Sequence, residues 1–187
     1  KGSGSISSLQ FVDELIKRGA DVNLQLARGA GGKGKLNHRG ATPFLMASKT
    51  ADVQMLETLL RHGANPSLAN VDGSTPLMAA AGYGTLAPGE EAGTEDEALA
   101  AVELLLTLGA DVNVVDQNGE TAMHGAAYKS LPRMVKFLHD HGADPAVWNR
   151  PNKHGWTPLK IAQGYRPGNF KPAPETIAAI LAAMGGK

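Results

Sequence analysis

Cysteine is absent from the 187 residues. That excludes disulfides, thiolate metal ligands and a cysteine nucleophile, and it leaves reducing and oxidising compartments equally open. Aromatic residues are scarce at 5%. A sizeable core must then be built from Leu, Val, Ile and Ala, which suits closely packed helices better than a broad sheet sandwich. No apolar run approaches the ~18 residues of a membrane span, and the polar start Lys1–Ser5 is not a secretory signal. Basic residues are missing from the middle of the chain: residues 63–128 hold ten acids and no Lys or Arg. The first 62 residues carry nine bases against five acids and the last 59 nine against three, so a net charge of zero resolves into +4, −10 and +6. Such a belt can steer a basic partner to the middle of the molecule, although solvated like charges need no partner at all.

What is present is repetition. Gly-Ala recurs at Gly19, Gly63, Gly109 and Gly142, and a Thr opening a small-residue run recurs at Thr42, Thr75, Thr121 and Thr157. Thr42 to Thr75 and Gly109 to Gly142 are both 33 residues, and the longer intervals exceed this by discrete blocks that read as loop insertions. Each Thr can cap a helix by accepting from an unpaired backbone N–H, and Pro43, Pro76 and Pro158 follow where a missing N–H costs nothing. Ahead of each Gly lies a second helix with one apolar face: Phe11, Val12, Leu15, Ile16; Met55, Leu56, Leu59, Leu60; Ala101, Val102, Leu105, Leu106; Met134, Val135, Leu138; and lastly Ile177 and Leu181. The Gly can then turn left-handed and close the helix, a device that Gly185 repeats. Asp72-Gly73 and Asn118-Gly119 mark tight turns in the polar stretches between units, which predicts projecting hairpins. One helix pair cannot bury its own apolar face, so the units must stack into a linear array.

The runs TPFLMAS, TPLMAAA, TAMHGAA and TPLKIAQ, each followed by a helix ending in Gly, resemble ankyrin repeats, with inserts similar in style to those of bacterial members. The resemblance covers nearly the whole chain. It implies an all-α repeat solenoid of about four full units plus a partial N-terminal one. The expected division is a partial unit 1–23, an insert 24–38, units 39–71, 72–117 (with an insert 84–97) and 118–153, and a terminal unit 154–187 with an insert 164–174. In this family a His in the opening helix ties one repeat to the next. It occurs here only as His124, with Leu45, Met78 and Lys160 in its place elsewhere, which predicts weaker stitching. Lys1–Ser8 is too short and polar to supply an opening helix, so the first repeat is read as degenerate, as a cap, or as the edge of a longer protein.

Three patterns invite chemistry. Gly29–Lys35, GAGGKGK, formally satisfies G-x-G-x-x-G and nearly satisfies the phosphate-loop pattern, but Leu36 stands where a metal-binding Ser or Thr belongs and no helix follows until Thr42; it reads as a basic hairpin tip. His139 and His141, two apart on a helix, diverge and cannot clasp one ion, and the acidic loop Glu90, Glu91, Glu95, Asp96 lacks EF-hand spacing. No Ser, His and acid grouping carries a nucleophile motif. The expectation is therefore no catalytic residue, no cofactor and no metal.

The positive signal is aromatic. Tyr83, Tyr128 and Tyr165 each fall just past a small-residue helix, on the side facing the concave groove that the family resemblance implies, with Trp156 beside them. They predict a ladder of interface anchors, the alternative being that each Tyr closes its helix and supports the adjoining loop. Val71, Asp72, Gln117, Asn118, Glu120, Lys153 and His154 on the hairpins would set selectivity. The expected role is a non-catalytic scaffold holding another protein of basic character, with the chain favoured as a monomer. The alternatives are a regulatory or structural domain of a larger enzyme or envelope protein, and nucleic-acid binding through Trp148, Arg150, Arg166, Phe170 and Lys171, which the acidic middle opposes.

Overall fold

The structure, a computed structural model, describes residues 6–89, 91–168 and 170–185. The expectations for Lys1–Ser5 and for Glu90 fall outside them. Among the described residues there are ten helices and no strand: α1 (Ser8–Lys17), α2 (Pro43–Lys49), α3 (Val53–Arg61), α4 (Pro76–Ala80), α5 (Glu95–Thr107), α6 (Ala122–Lys129), α7 (Pro132–Asp140), α8 (Pro145–Trp148), α9 (Pro158–Ala162) and α10 (Pro174–Ala183). None is long and apolar enough to cross a membrane. Helices α2/α3, α4/α5, α6/α7 and α9/α10 are the paired units. Inner helices α2, α4, α6 and α9 stack in that order, and outer helices α1, α3, α5, α7 and α10 stack behind them.

The local signals act as expected. Thr42, Thr75, Thr121 and Thr157 accept from the backbone N–H three residues on, and Pro opens α2, α4 and α9. The closing Gly residues take positive φ, from 81° at Gly185 to 94° at Gly19. Outer helices bury the apolar face read from their spacing: Leu56 and Leu59 in α3, Ala101, Val102 and Leu105 in α5, Met134, Val135 and Leu138 in α7. The two end helices differ. No residue of α1 is buried, and α10 buries Thr176, Ile180 and Ala183 while Leu181 stays exposed, because each end has a neighbour on one side only. Helix α5 starts at Glu95, so Glu95–Glu97 form its first turn rather than the end of the insert.

Units are joined at three levels. Hairpin tips share backbone bonds: Val71 N–H donates to Arg39 O (3.1 Å), Gln117 N–H to Asp72 O (2.9 Å) and Lys153 N–H to Asn118 O (2.7 Å). Each hairpin is closed from below by a buried Asn or Asp whose Oδ1 accepts two N–H groups: Asn70 from Asp72 and Ser74, Asp116 from Asn118 and Glu120, Asn152 from His154 and Trp156. Helix ends are capped across units. Helix α7 has no side-chain cap of its own, and Glu95 of the preceding unit accepts from Arg133 N (2.8 Å) and Met134 N (3.1 Å), where the helix dipole favours an anion.

Inner helices come close because their facing residues are small. A Cβ on Gly125 of α6 would stand 2.8 Å from Tyr83 N and 3.0 Å from Met78 O at the end of α4. In an isolated helix Gly to Ala gains roughly 1 kcal/mol. Here the added methyl must push two helices apart, and overpacking of that kind costs about 1–3 kcal/mol. Gly125→Ala is expected to lower the urea-unfolding free energy, and an unchanged or raised value would contradict the close α4–α6 contact.

Candidate functional site

The three inserts converge on the inner helices. In residues 24–38, GAGGKGK makes a tight turn with Lys35 N–H on Gly32 O (3.0 Å). This tip folds back over the array: Leu36 is buried against Gly84, and Gly34 lies so close to the Tyr128 ring that a Cβ there would sit 3.0 Å from its Cε1. In the last insert, Arg166 is buried and donates to Ala127 O (3.0 Å), to Tyr128 O and to Ser130 Oγ (3.2 Å), capping the C-terminal end of α6 from another unit. Gly168 packs on the Leu86 carbonyl of the middle insert. Lys129, itself buried, donates to Ala92 O (2.7 Å) of that same insert. All of α4 and α6 is buried in consequence.

This cover overturns part of the expected surface. Tyr83 (2% exposed) and Tyr128 (0%) are core residues, their ring centroids 6.1 Å apart, and they form no open ladder with Tyr165. Tyr83 N–H closes the end of α4 on Met78 O (3.0 Å), and the Tyr128 ring lies under the Gly34 turn of the first insert. Glu120 is buried as well, not on the hairpin surface. Its Oε1 accepts from Tyr128 OH (3.0 Å) and from Asn152 Nδ2 (2.7 Å), and its Oε2 has no partner among the described residues. Val71 and Gln117 are exposed, Lys153 too, while Asp72, Asn118, His154 and Trp156 are half-buried. Asp72 and Asn118 are partly committed to each other, through Asn118 Nδ2 on Asp72 Oδ2 (3.3 Å).

The expected nucleic-acid patch also comes apart. Trp148 is buried with its indole N–H on Ala143 O (3.3 Å), and Arg166 is spent on α6, so aromatics and bases do not interleave along one open track. His139 is exposed on α7, where its neighbour Leu138 is the buried residue. His141 stacks on Phe137 with centroids 4.0 Å apart. Among the described residues no three His, Asp or Glu side chains gather as a metal site would require.

An open cleft of about 560 Å³ lies between the first and last inserts. Trp156, Tyr165, Pro167 and Phe170 form its apolar wall, and Lys33 faces them from the tip of the first insert. Tyr165 is 58% and Phe170 77% exposed. Lys160 Nζ stands 5.5 Å from the Tyr165 ring centroid, and the His154 ring lies 5.2 Å from Trp156. Sequence reasoning found Trp156 and Tyr165. It missed Lys33 and used Phe170 for another purpose, because neither the folding back of GAGGKGK nor its proximity to the last unit is written in local spacing.

The model for ankyrin repeats in three copies matches residues 5–87 and 92–173. The chain belongs to the ankyrin repeat family. Human Inversin is 30% identical over 177 residues, 94% of this chain and 14% of that protein. The mouse B-cell lymphoma 3 protein homolog is 30% identical over 131 residues, 70% of this chain and 26% of that protein. The ankyrin repeat, SAM and basic leucine zipper domain-containing protein 1 of Dasypus novemcinctus is 33% identical over 136 residues, 73% of this chain and 24% of that protein. The chain thus spans between 14% and 26% of the length of these curated relatives. Ankyrin repeat domains are generally protein-interaction modules and not enzymes. The repeat-tying role that the resemblance implied for His124 has its geometry here: His124 Nε2 meets Trp156 O of the next unit (3.3 Å) while Nδ1 meets Thr121 Oγ1 (2.9 Å).

Two buried groups in this region give stability a pH dependence. Burial holds His124 down at about 4, against an ordinary 6.5, only partly offset by its bonds to the Trp156 and Arg150 backbones. Its contribution is therefore lost as pH falls from 6.5 toward 4. Burial pushes Glu120 up to about 8 from an ordinary 4.5, with the nearby Asp116 carboxylate adding to the rise and the bonds from Tyr128 and Asn152 opposing it. The folded chain then keeps a proton that the unfolded chain has released. That contribution is full below 4.5 and is lost as pH rises through about 8. Urea midpoints should fall between about pH 6.5 and 8.5 in the wild type and stay nearly level in Glu120→Gln; parallel curves for the two proteins would place the titrating group elsewhere.

Proposed function

We propose that the chain is a protein-interaction module whose partner lies across the exposed hairpin tips and the adjoining aromatic cleft. Val71, Gln117, Lys153 and the outward edges of Asp72, Asn118 and His154 form the tip side, and Trp156 and Tyr165 are the anchors. Tyr83, Tyr128 and Glu120 support that surface from below and do not touch the partner. The observation that carries this reading is the cleft itself: Tyr165 and Phe170 stay exposed beside Trp156, although every other aromatic along the inner face is packed away. Tyr and Trp bury large areas at small entropic cost, which is why they dominate binding energy at interfaces. With a partner identified by cross-linking and affinity capture, calorimetry on Val71→Ala, Gln117→Ala, Trp156→Ala and Tyr165→Ala should show a loss of about 2 kcal/mol or more at one or two positions. Equal affinity in all four variants would move the interface to another face.

A second reading, a domain that packs on further parts of a larger protein, is favoured by one feature. An open cleft of about 390 Å³ beside α1 is lined by Val12, Leu15, Ile16, Met46, Met55 and Leu59, and Phe11 and Leu15 are exposed. Supplying a helix of the same small-residue kind as α2 or α4 ahead of α1 should raise the urea midpoint. No change would remove this support.

A further inference from the structure

The sign of charge around the aromatic cleft is opposite to that of the belt read from the sequence. The acids of the belt are largely committed within the array. Glu91 pairs with Lys49 (3.0 Å), Asp96 with Arg133 (2.5 Å) and Glu95 caps α7, while Asp116 and Glu120 are buried under the hairpins. Around the cleft the balance reverses. Lys33 lines it, Lys160 stands over Tyr165, Lys153 occupies the neighbouring hairpin tip, and no Asp or Glu is among the described residues of its wall. The positive potential is already felt by His154, which is held below its ordinary value by burial first and then by the charges of Lys33 and Lys153.

Resting on the interaction-module reading above, we infer that this cleft takes an acidic segment of a partner protein, one aromatic or large aliphatic side chain entering between Trp156, Tyr165 and Phe170 while flanking carboxylates meet Lys33, Lys153 and Lys160. An apolar wall ringed by cations selects a ligand that offers both features at once. A single-stranded nucleic acid also offers rings and negative charge, but it needs successive stacking platforms along a basic track. Burial of Trp148 and Arg166 breaks that track and leaves a single aromatic cleft in place of a series of platforms.

The test is selection of a random-peptide display library on the full chain, followed by fluorescence anisotropy of a retained peptide, its charge-inverted counterpart and an oligothymidylate. The variants Lys33→Glu, Tyr165→Ala and Trp156→Ala are run alongside, each checked for an unchanged melt. Lys33 and Tyr165 are exposed, so their variants keep the test valid should Trp156→Ala disturb packing. Retained peptides should be net acidic with at least one aromatic or large aliphatic residue. Their affinity should drop by about 30-fold in Tyr165→Ala or Trp156→Ala, and it should weaken both in Lys33→Glu and with added salt. Basic or neutral peptides, or acidic ones indifferent to all three substitutions, would overturn the acidic-segment inference and leave the interaction reading standing. Tighter binding of the oligothymidylate than of any peptide would overturn the inference in favour of nucleic acid. Retention of no peptide at all would count against the interaction reading itself.

Discussion

A helix pair in this array has apolar residues on more faces than its own two helices can cover. The outer helices solve this by stacking, Leu and Val of one unit against those of the next, and the same interaction sets the linear order of the units. The inner helices face a harder condition. Their Ala- and Gly-rich surfaces allow backbones to approach closely, as at Gly125, yet among the described residues no second layer of helices lies over them. Cover comes from the inserts instead. Leu36, Gly34, Arg166 and Gly168 come from segments far apart in sequence, and together they seal α4 and α6. The inserts are therefore part of the core and not decorations on it.

That dependence explains which features could be read from the chain. Caps, Pro starts, Gly stops and the faces of α3, α5 and α7 are decided within one or two turns of helix, so the residues announce them. The environment of Tyr128 is decided by Gly34, ninety-four positions away, and by the carboxyl of Glu120. A glycine-rich basic run reads as a solvated tip because local composition carries no term for distant packing. In hindsight the absence of side chains in that run is the usable signal, since only Gly permits backbone to lie on an aromatic ring. The same limit applies to Glu120. Its position in a hairpin suggests exposure, while its burial depends on Asn152 in the next hairpin.

Charge behaves similarly. A run of ten acids without a base reads as a field directed outward. Folding divides those acids into groups with separate uses. Glu95 serves as the missing cap of α7, Glu97 forms a capping box with Thr94, and Glu91 is held by Lys49 and the Leu86 N–H. A count along the sequence cannot distinguish a committed carboxylate from a free one. The cations of the first and last segments, by contrast, meet at the cleft because the first insert crosses the inner face to the last unit.

Asn152 joins the buried network to the open surface. Its Nδ2 donates to Glu120 Oε1 (2.7 Å) and to Tyr128 OH (3.2 Å), while its Oδ1 accepts from the His154 and Trp156 N–H groups at 2.9 and 3.0 Å. One amide thus fixes both the carboxyl under the array and the hairpin that presents Trp156. A neutral Glu120 leaves a single polar atom unpaired, whereas an ionised one places an uncompensated charge among Tyr83, Tyr128 and Asp116. Asn152 and Tyr128 are the hydrogen-bond partners of the Glu120 carboxyl. The hairpin that carries one wall of the cleft and the buried carboxyl of Glu120 thus share a single amide, Asn152.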